Sequence, residues 1–212
     1  MKVTRGYVGG EARPYPVATI GNFDGHHLGH RQLLATVVET ARRQAGTAMV
    51  LTFDPHPVKI LAPQADLKFL TSPAEKLRYF ESAGIDEVVL LEFTPSFASL
   101  SAESFAADVL HRGLGIRQIF VGRHFAFGKG RAGTVADLER LGRDYGFTVD
   151  SIEPVMADGE VVSSTRVRKL VQGGRLAEAG RLLGRHYGLE GVVMPGAQRG
   201  QTLGWPTANL RL

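Results

Sequence analysis

The sequence predicts an α/β fold with a parallel sheet, followed by the first part of a second domain. Short apolar, β-branched segments alternate with segments of helical periodicity, and this alternation is typical of βαβ units. We expect strands at residues 17–20, 48–53, 87–91, 118–122 and 147–152. Strands that are connected in this way form a sheet covered by helices on both faces.

The helices between these strands have recognisable starts. Apolar residues recur every three or four positions from residue 29 to residue 44, which predicts an amphipathic helix. Ser72 and Glu75 have the spacing of a capping box, and the same spacing recurs after Thr134. Two further short helices are expected at residues 165–172 and 176–183.

The composition of the chain changes near residue 184. From there the sequence is rich in glycine and in strand-forming residues up to its last residue, Leu212. A segment this short cannot bury the core of a barrel or a sandwich. We therefore expect one domain over residues 1–184 and the N-terminal fragment of another over residues 185–212.

Composition and charge exclude several classes of protein. The 212 residues contain no cysteine, which excludes disulfides and thiolate-bound metals. The formal charge of +4 comes from scattered arginines, and this favours small anionic substrates over nucleic acid. Because the sequence contains neither a signal-peptide pattern nor a membrane-length apolar segment, we expect a cytoplasmic protein. Nothing in the sequence predicts an oligomeric state.

A glycine-rich loop joins the first predicted strand to the helix after it. Gly21, Gly25 and Gly29 lie in this loop, where free N–H groups and the helix dipole favour a phosphate. His27 and His30 share one helical face, so both can contact one anion. Imidazole donors suit nucleotidyl transfer, in which negative charge develops on the α-phosphate. A structural histidine pair and a metal-binding pair remain alternatives.

Segments after two other strands are expected at the same edge of the sheet. Residues 52–57 contain two prolines, so they form either a rigid turn only or one wall of a ligand crevice. Residues 122–134 combine glycines and cations with Phe125 and Phe127. Such a loop can hold phosphates by charge and a planar ring by stacking, although a solvated surface loop is the alternative.

A third segment leaves a short strand and begins a helix at residues 162–168. Ser164 or Thr165 is a candidate N-cap for that helix. Arg166 and Arg168 place positive charge near the helix start, where it opposes the helix dipole. A polyphosphate bound between the arginines and the backbone N–H groups would resolve this conflict.

Taken in order, these segments resemble the bacterial bifunctional riboflavin kinase/FAD synthetase family. The resemblance runs through almost the whole chain, and its matching segments are residues 21–30, 52–57, 122–128, 163–168 and 199–210. The first segment alone would indicate only a nucleotidylyltransferase, whereas the ordered set is specific. The resemblance implies a Rossmann-like nucleotidylyltransferase domain followed by the start of a β-barrel riboflavin kinase domain.

The resemblance also implies an activity and a set of site residues. The first domain would transfer AMP from MgATP to FMN, giving FAD and pyrophosphate, with His27, His30 and Arg168 as catalytic contacts to the ATP phosphates. The other residues implied in ATP binding are Gly21, Asn22, Phe23, Asp24, Gly29, His124, Ser164, Thr165 and Arg166. Those implied in flavin binding are Asp54, His56, Phe125 and Phe127. In the kinase half, Thr207 and Asn209 would bind the Mg²⁺ of ATP.

This sequence departs from the family pattern in four respects. His26 replaces an aliphatic residue, His124 replaces Asp or Asn, and Thr134 replaces Asp. A histidine at position 124 can still make one hydrogen bond to the nucleotide. The family's kinase carboxylate lies well beyond Asn209, so we expect the full-length protein to phosphorylate riboflavin and these 212 residues alone not to do so.

Two other functions remain compatible with these residues. The chain could adenylylate another phosphorylated acceptor, such as nicotinamide mononucleotide or phosphopantetheine, although Phe125, Phe127 and the segment 206–209 argue against this. Alternatively, it could be a flavin- or nucleotide-binding regulator without turnover, for which the substitution at His124 is the main support.

Overall fold

A six-stranded parallel sheet forms the centre of the molecule, with the strand order β1-β4-β3-β2-β5-β6. The computed structural model describes residues 1–7, 12–196, 199–202, 204–205 and 207–211. The strands of the sheet are β1 (Lys2–Arg5), β2 (Pro16–Ile20), β3 (Thr47–Asp54), β4 (Glu87–Glu92), β5 (Gln118–Gly122) and β6 (Thr148–Ile152). The predicted α/β class is therefore confirmed.

Helices cover both faces of this sheet. The longer ones are α1 (Leu28–Arg43), α3 (Pro73–Ser82), a π-helix (Phe105–Gly113), α6 (Val135–Tyr145), α7 (Ser164–Gln172) and α8 (Leu176–Leu183). The shorter ones are α2 (Pro57–Leu61), α4 (Pro95–Ala98), α5 (Ala102–Ser104), a 3₁₀ turn (Lys129–Arg131) and α9 (Arg199–Thr202). None of the helices in these described ranges has the length and hydropathy that a bilayer span requires.

The described residues form three buried apolar clusters: one lies on each face of the sheet, and the third joins α7 and α8. On one face, α1 and α3 pack Leu34, Val37 and Phe80 against β2, β3 and β4. On the other face, the π-helix and α6 contribute Leu110 and Leu138. All five residues of β2 are buried, so the central strand is rigidly held between the two layers.

The chain order of the strands reverses beside β2. This strand lies between β3 and β5, and its connections therefore leave the sheet in opposite directions. A crevice opens at the carboxyl ends of the strands at such a switch point, and ligands bind there in open α/β sheets. The three loops singled out in the sequence follow β2, β3 and β5 and all lie at this edge.

The five predicted strands are confirmed to within one residue at each end, whereas β1 was not predicted. β1 is an edge strand that pairs only with β4, and three of its four residues are exposed. It therefore has no apolar alternation to reveal it. The π-helix and the short helices before it were also missed, because Thr94 and Ser101 cap α4 and α5 and divide the segment into short pieces.

Two short antiparallel strands lie near the end of the chain. They are β9 (Val192–Met194) and β10 (Asn209–Arg211), with α9 between them along the chain. All six strand residues are exposed. The division of the chain at residue 184 stays a prediction.

Candidate active site

His27 and His30 lie together at the start of α1. His27 is the N-cap residue, and its Nδ1 accepts a hydrogen bond from the backbone N–H of His30 at 3.3 Å. The two rings stack with their centroids 3.7 Å apart. Because Nδ1 of His27 is an acceptor, the neutral ring carries its proton on Nε2. The pair thus lies near the carboxyl end of β2, and the ring of His27 keeps one N–H group on Nε2.

Burial keeps these imidazoles neutral at physiological pH. It lowers the pKa of His27 from 6.5 to about 4, against a smaller opposite effect of Asp24. Burial also lowers the pKa of His30 well below its usual value, and the neighbouring His27, His26 and Lys76 lower it further. Nδ1 of His30 is buried and has no hydrogen-bond partner within the described ranges.

Asp24 connects three segments beneath the histidine pair. Its Oδ1 accepts from the backbone N–H of Leu70 at 2.9 Å and from the backbone N–H and hydroxyl of Thr71 at 3.2 Å. Its Oδ2 pairs with Arg168 at 2.8 Å. The carboxylate is buried, and both of its oxygens accept hydrogen bonds from protein donors. Asp24 therefore fixes the loop that carries the histidines, and ATP binding by this residue stays a prediction.

Phe23 is also a support for the site. Its ring is 2% exposed, packs edge-on against Phe80 and lies 5.1 Å from the ring of His30. The side chain of Phe23 is therefore part of the core, and ATP binding by Phe23 stays a prediction. The buried ring holds His30 in place from below.

The glycines of this loop serve internal packing. A Cβ on Gly25 would lie 2.7 Å from Leu70, and one on Gly29 would lie 3.2 Å from the ring of His27. Gly25 also has a positive φ of +84°, which other residues adopt only with strain. Gly29 thus lies against the ring of His27, and phosphate binding at this glycine stays a prediction.

The start of α7 faces the same loop. The hydroxyl of Ser164 donates to the backbone oxygen of Asp24 at 2.7 Å, and Thr165 is exposed. Arg168 donates from Nε to the backbone oxygen of Lys68 at 2.7 Å in addition to its pair with Asp24. Ser163, one residue before the predicted candidates, is the actual N-cap.

Arg166 points away from this group. It donates to the backbone oxygen of Ala157 at 2.8 Å and pairs with Glu160 at 3.0 Å and with Asp158. It therefore braces the hairpin of β7 (Met156–Ala157) and β8 (Glu160–Val161). Carboxylates pair with both Arg166 and Arg168, so neither arginine requires a bound polyphosphate to balance its charge. ATP binding by Arg166 stays a prediction.

The predicted flavin residues divide between two cavities. Phe125 and Phe127 line the first, of about 450 Å³, together with Gly21, Asn22 and His124. We call it the Phe125 cavity. The rings of Phe125 and Phe127 are parallel, with centroids 5.6 Å apart, and Phe127 is part of the core.

Asp54 and His56 line the second cavity, of about 500 Å³, and Lys76 is part of its wall. We call it the Lys76 cavity. Asp54 is exposed and pairs with Arg5 at 3.0 Å. Nδ1 of His56 accepts from the backbone N–H of Val58 at 3.1 Å, and burial lowers its pKa. The ring of Phe53 borders both cavities, so the segment after β3 forms the wall between them.

Several residues near the site were missed by the sequence reasoning. The ring of His26 stacks on Tyr79 at 4.8 Å, and the guanidinium of Arg185 lies 4.5 Å from the same ring. Lys76 lies in the first turn of α3, and the capping box of Ser72 in that turn had been recognised. Its position directly after Glu75, the last residue of that capping box, was the available sequence signal for Lys76. Contacts between residues far apart in the chain, as at Tyr79, leave no local pattern.

The predicted magnesium residues of the second domain are exposed. Asn209 begins β10 opposite Met194, and Thr207 lies two residues earlier. Pro206, the first residue of the predicted segment 206–209, lies outside the described residues. Magnesium binding by Thr207 and Asn209 stays a prediction.

Comparisons with known proteins agree with this arrangement. A family model described as FAD synthetase matches residues 11–166, and one described as riboflavin kinase matches residues 183–212. The bifunctional riboflavin kinase/FMN adenylyltransferase of Escherichia coli K12 is 39% identical over an alignment that covers all of this chain and 68% of that protein. The protein of the same name from Pseudomonas fluorescens is 38% identical, with 92% of this chain and 63% of the relative covered.

A solved structure shares the fold. It is described as a macrolide-efflux protein from Streptococcus pneumoniae and superposes with a TM-score of 0.88 at 31% identity, covering all of this chain and 69% of that chain. The matching models cover most of the sequence in the expected order, and the relatives agree in name. The chain therefore belongs to the FAD synthetase family of bifunctional riboflavin kinase/FMN adenylyltransferases.

Proposed function

We propose that this chain transfers AMP from MgATP to FMN, so that FAD and pyrophosphate form. The observation that carries the proposal is the pair of neutral, stacked imidazoles of His27 and His30 at the capped start of α1. It lies at the switch point between β2 and β5, where the sheet opens for ligands. The family of the chain supports the same activity.

The chemistry requires no general base. A phosphate monoester such as FMN is already largely anionic at neutral pH, so its oxygen can attack the α-phosphorus of ATP directly. The bond from that phosphorus to the bridging oxygen then breaks, and the electron pair leaves with pyrophosphate. An N–H donor such as that on Nε2 of His27 stabilises the charge that builds up on the α-phosphate, and a neutral ring does so without moving a proton.

The start of α7 supplies the remaining contacts in this proposal. Ser164, Thr165 and Arg168 bind the β- and γ-phosphates as these separate from the α-phosphate, and Ser164 does so through its backbone N–H because its hydroxyl donates to Asp24. Arg168 uses Nε and one Nη atom in protein contacts, which leaves further N–H groups of its guanidinium for phosphate oxygens. Asp24 keeps Arg168 oriented towards the histidine loop.

Magnesium enters the proposal as part of the ATP substrate. In the described part of the chain, no three His, Cys, Asp or Glu side chains are grouped to hold a metal ion. The donors at the site are imidazoles and a guanidinium, which suit phosphate oxygens rather than a cation. We therefore assign Mg²⁺ to the phosphate chain, where it neutralises charge on the leaving pyrophosphate.

The Phe125 cavity is our proposed site for the flavin ring. Its aromatic and aliphatic lining fits a planar heterocycle, and its volume lies within the range of small-molecule sites. Asn22 and His124, both exposed at its edge, can hydrogen-bond the polar edge of a ring. The parallel ring of Phe125 offers a face for stacking.

Incubation of the purified chain with MgATP and one acceptor at a time tests the proposed function. FMN, nicotinamide mononucleotide and phosphopantetheine are compared, and products are separated by chromatography. We expect FAD and pyrophosphate from FMN and no dinucleotide from the other two acceptors. Product from another acceptor only would favour a different adenylyltransferase, and FMN binding without FAD would favour a regulator.

A further inference from the structure

The wall of the Lys76 cavity carries the positive charge of Lys76, and no acidic side chain pairs with it in the described residues. Lys76 is partly buried, and its ammonium makes no ion pair or hydrogen bond with the residues that the structure describes. The cavity is large enough for part of a small-molecule substrate and has apolar walls such as Leu70, Leu77 and Leu90. An unpaired cation in such a cavity is a position where an anion would bind.

The carboxylates that line this cavity are already engaged by other groups. These carboxylates and their partners are Asp54 with Arg5, Glu75 with the backbone N–H of Ser72, and Glu190 with Arg78. Lys76 is therefore left without a counter-charge in contact. The other basic groups in the wall differ, since Arg5 is paired and Lys59 lies over the ring of Phe69.

The position of Lys76 is unfavourable for the folded protein by itself. The residue lies in the first turn of α3, where a positive charge opposes the helix dipole. Burial lowers the pKa of Lys76, and Asp24 and Asp54 only partly offset this effect. A lysine placed for stability would extend into solvent or contact a carboxylate. An anion in the cavity would offset the unfavourable free energy of burying this ammonium at a helix start.

Lys76 also lies close to the proposed reaction centre. Its charge contributes to the lowered pKa of both His30 and His56. His56 lines the same cavity, and its Nδ1 accepts a hydrogen bond, so the neutral ring has an N–H donor on Nε2. A cation and a neutral donor on one wall are a suitable pair for phosphate oxygens.

We propose that the ammonium of Lys76 binds a phosphate oxygen of a substrate, and that this contact makes the site selective for phosphorylated ligands. The phosphate belongs either to the acceptor or to the phosphate chain of ATP, and the identity of those substrates rests on the proposed function. Lys76 binds the substrate and does not take part in the bond changes.

Binding measurements without turnover test this proposal on the full 212-residue chain. Flavin fluorescence gives the Kd of FMN and of riboflavin, which differ by the phosphate group, and calorimetry gives the Kd of inorganic pyrophosphate. The variants are Lys76→Met, Lys76→Gln and Lys76→Arg. Lys68→Met is the matched control, because Lys68 is exposed and pairs with Asp66. Thermal unfolding of each variant confirms that it folds.

We expect neutral substitutions at Lys76 to weaken phosphate binding about 10- to 100-fold, as the loss of a hydrogen bond to a charged group does. A loss for FMN with riboflavin unchanged assigns the phosphate to the acceptor, and a loss for pyrophosphate assigns it to ATP. Lys76→Arg should retain most of the affinity, and Lys68→Met all of it. Lys76→Gln gives the same comparison if Lys76→Met does not fold.

Two results would overturn the proposal. One is unchanged affinity for both FMN and pyrophosphate in the folded neutral variants. The other is an equal loss for FMN and riboflavin, which a merely structural lysine would produce. If selective binding is found but no FAD forms, the proposed function fails while the role of Lys76 stands.

Discussion

The histidine loop and the segment from Val192 to Arg211 belong to the same chain but are built very differently. In the loop, Asp24, His26 and His27 are each at most 7% exposed and are fixed by contacts with distant segments. In the later segment, the strand residues are exposed and Trp205 is 80% exposed. Thr207 and Asn209, the predicted magnesium residues, are exposed as well.

The difference shows what an organised site needs. Each group in the histidine loop has its position fixed by a second residue, so the donors are in place before a ligand arrives. A lone two-stranded sheet such as β9 and β10 is at best marginally stable and cannot hold metal ligands to the same accuracy. We therefore expect adenylyl transfer, and not riboflavin phosphorylation, from these residues.

Substitution of His27 should have the largest effect on activity. His27→Ala removes both the donor and the N-cap, so we expect kcat for FAD formation to fall by about 10²–10³ and stability by about 1 kcal/mol. His27→Asn keeps a good N-cap residue and should lose the same turnover at nearly full stability. Initial rates and chemical denaturation measure both effects. A His27→Ala variant with more than about a tenth of normal turnover would contradict the assigned role.

Substitution of Asp24 tests how the loop is fixed. Asp24→Ala leaves the largely buried Arg168 without its partner, so we expect the free energy of unfolding to fall by about 3–5 kcal/mol. Asp144→Ala is the matched control, since it breaks an exposed helical pair with Arg140 that contributes about 0.3–0.5 kcal/mol. Urea denaturation gives both values. Equal losses for the two variants would show that Asp24 is an ordinary surface carboxylate.

The buried histidines should make stability depend on pH. The pKa of His26 and of His27 is lowered from 6.5 to about 4, so the unfolded chain binds more protons between these values. Stability is thus fully present above pH 6.5 and should fall by about 3 kcal/mol per histidine as pH approaches 4. Denaturation of the ligand-free protein at pH 7.5 and pH 5 measures the change. His26→Leu should remove the part of this pH-dependent loss of stability that comes from one histidine. An unchanged pH dependence in this variant would argue against a buried neutral ring at His26.

Removal of the exposed segment should have the smallest effect. A chain that ends at Gly191 keeps the wall of the Lys76 cavity formed by Gly188, Leu189 and Glu190 but lacks β9 and β10. We expect its rate of FAD formation to stay within about twofold of the 212-residue chain, because truncation removes no residue of the proposed site. A large loss of this activity would show that the two regions are coupled.

The parts of the fold with local signals were predictable. Both capping boxes, at Ser72 and at Thr134, form with the predicted partners, and the spacing of His27 and His30 correctly places them side by side. The role of Asp24 was not predictable, because its partners Leu70 and Arg168 are 46 and 144 residues away in the chain.

The residues that contact each charged side chain could not be predicted from the sequence either. Arg166 and Arg168 look equivalent along the chain, yet one braces a hairpin and the other faces the site. Helix geometry separates residues two apart onto different faces, but only the tertiary structure shows what each face meets. The sequence also cannot show that the ammonium of Lys76 lacks a counter-charge, because this depends on tertiary contacts.

Two parallel reactions test the central claim most directly, namely that the organised site of this chain is the adenylyl-transfer site. The 212-residue chain is given MgATP with FMN in one reaction and MgATP with riboflavin in the other, and the flavins are separated by chromatography. Our account predicts FAD and an equal amount of pyrophosphate from FMN, and neither FMN nor FAD from riboflavin. FMN that binds but is not converted to FAD would contradict the account.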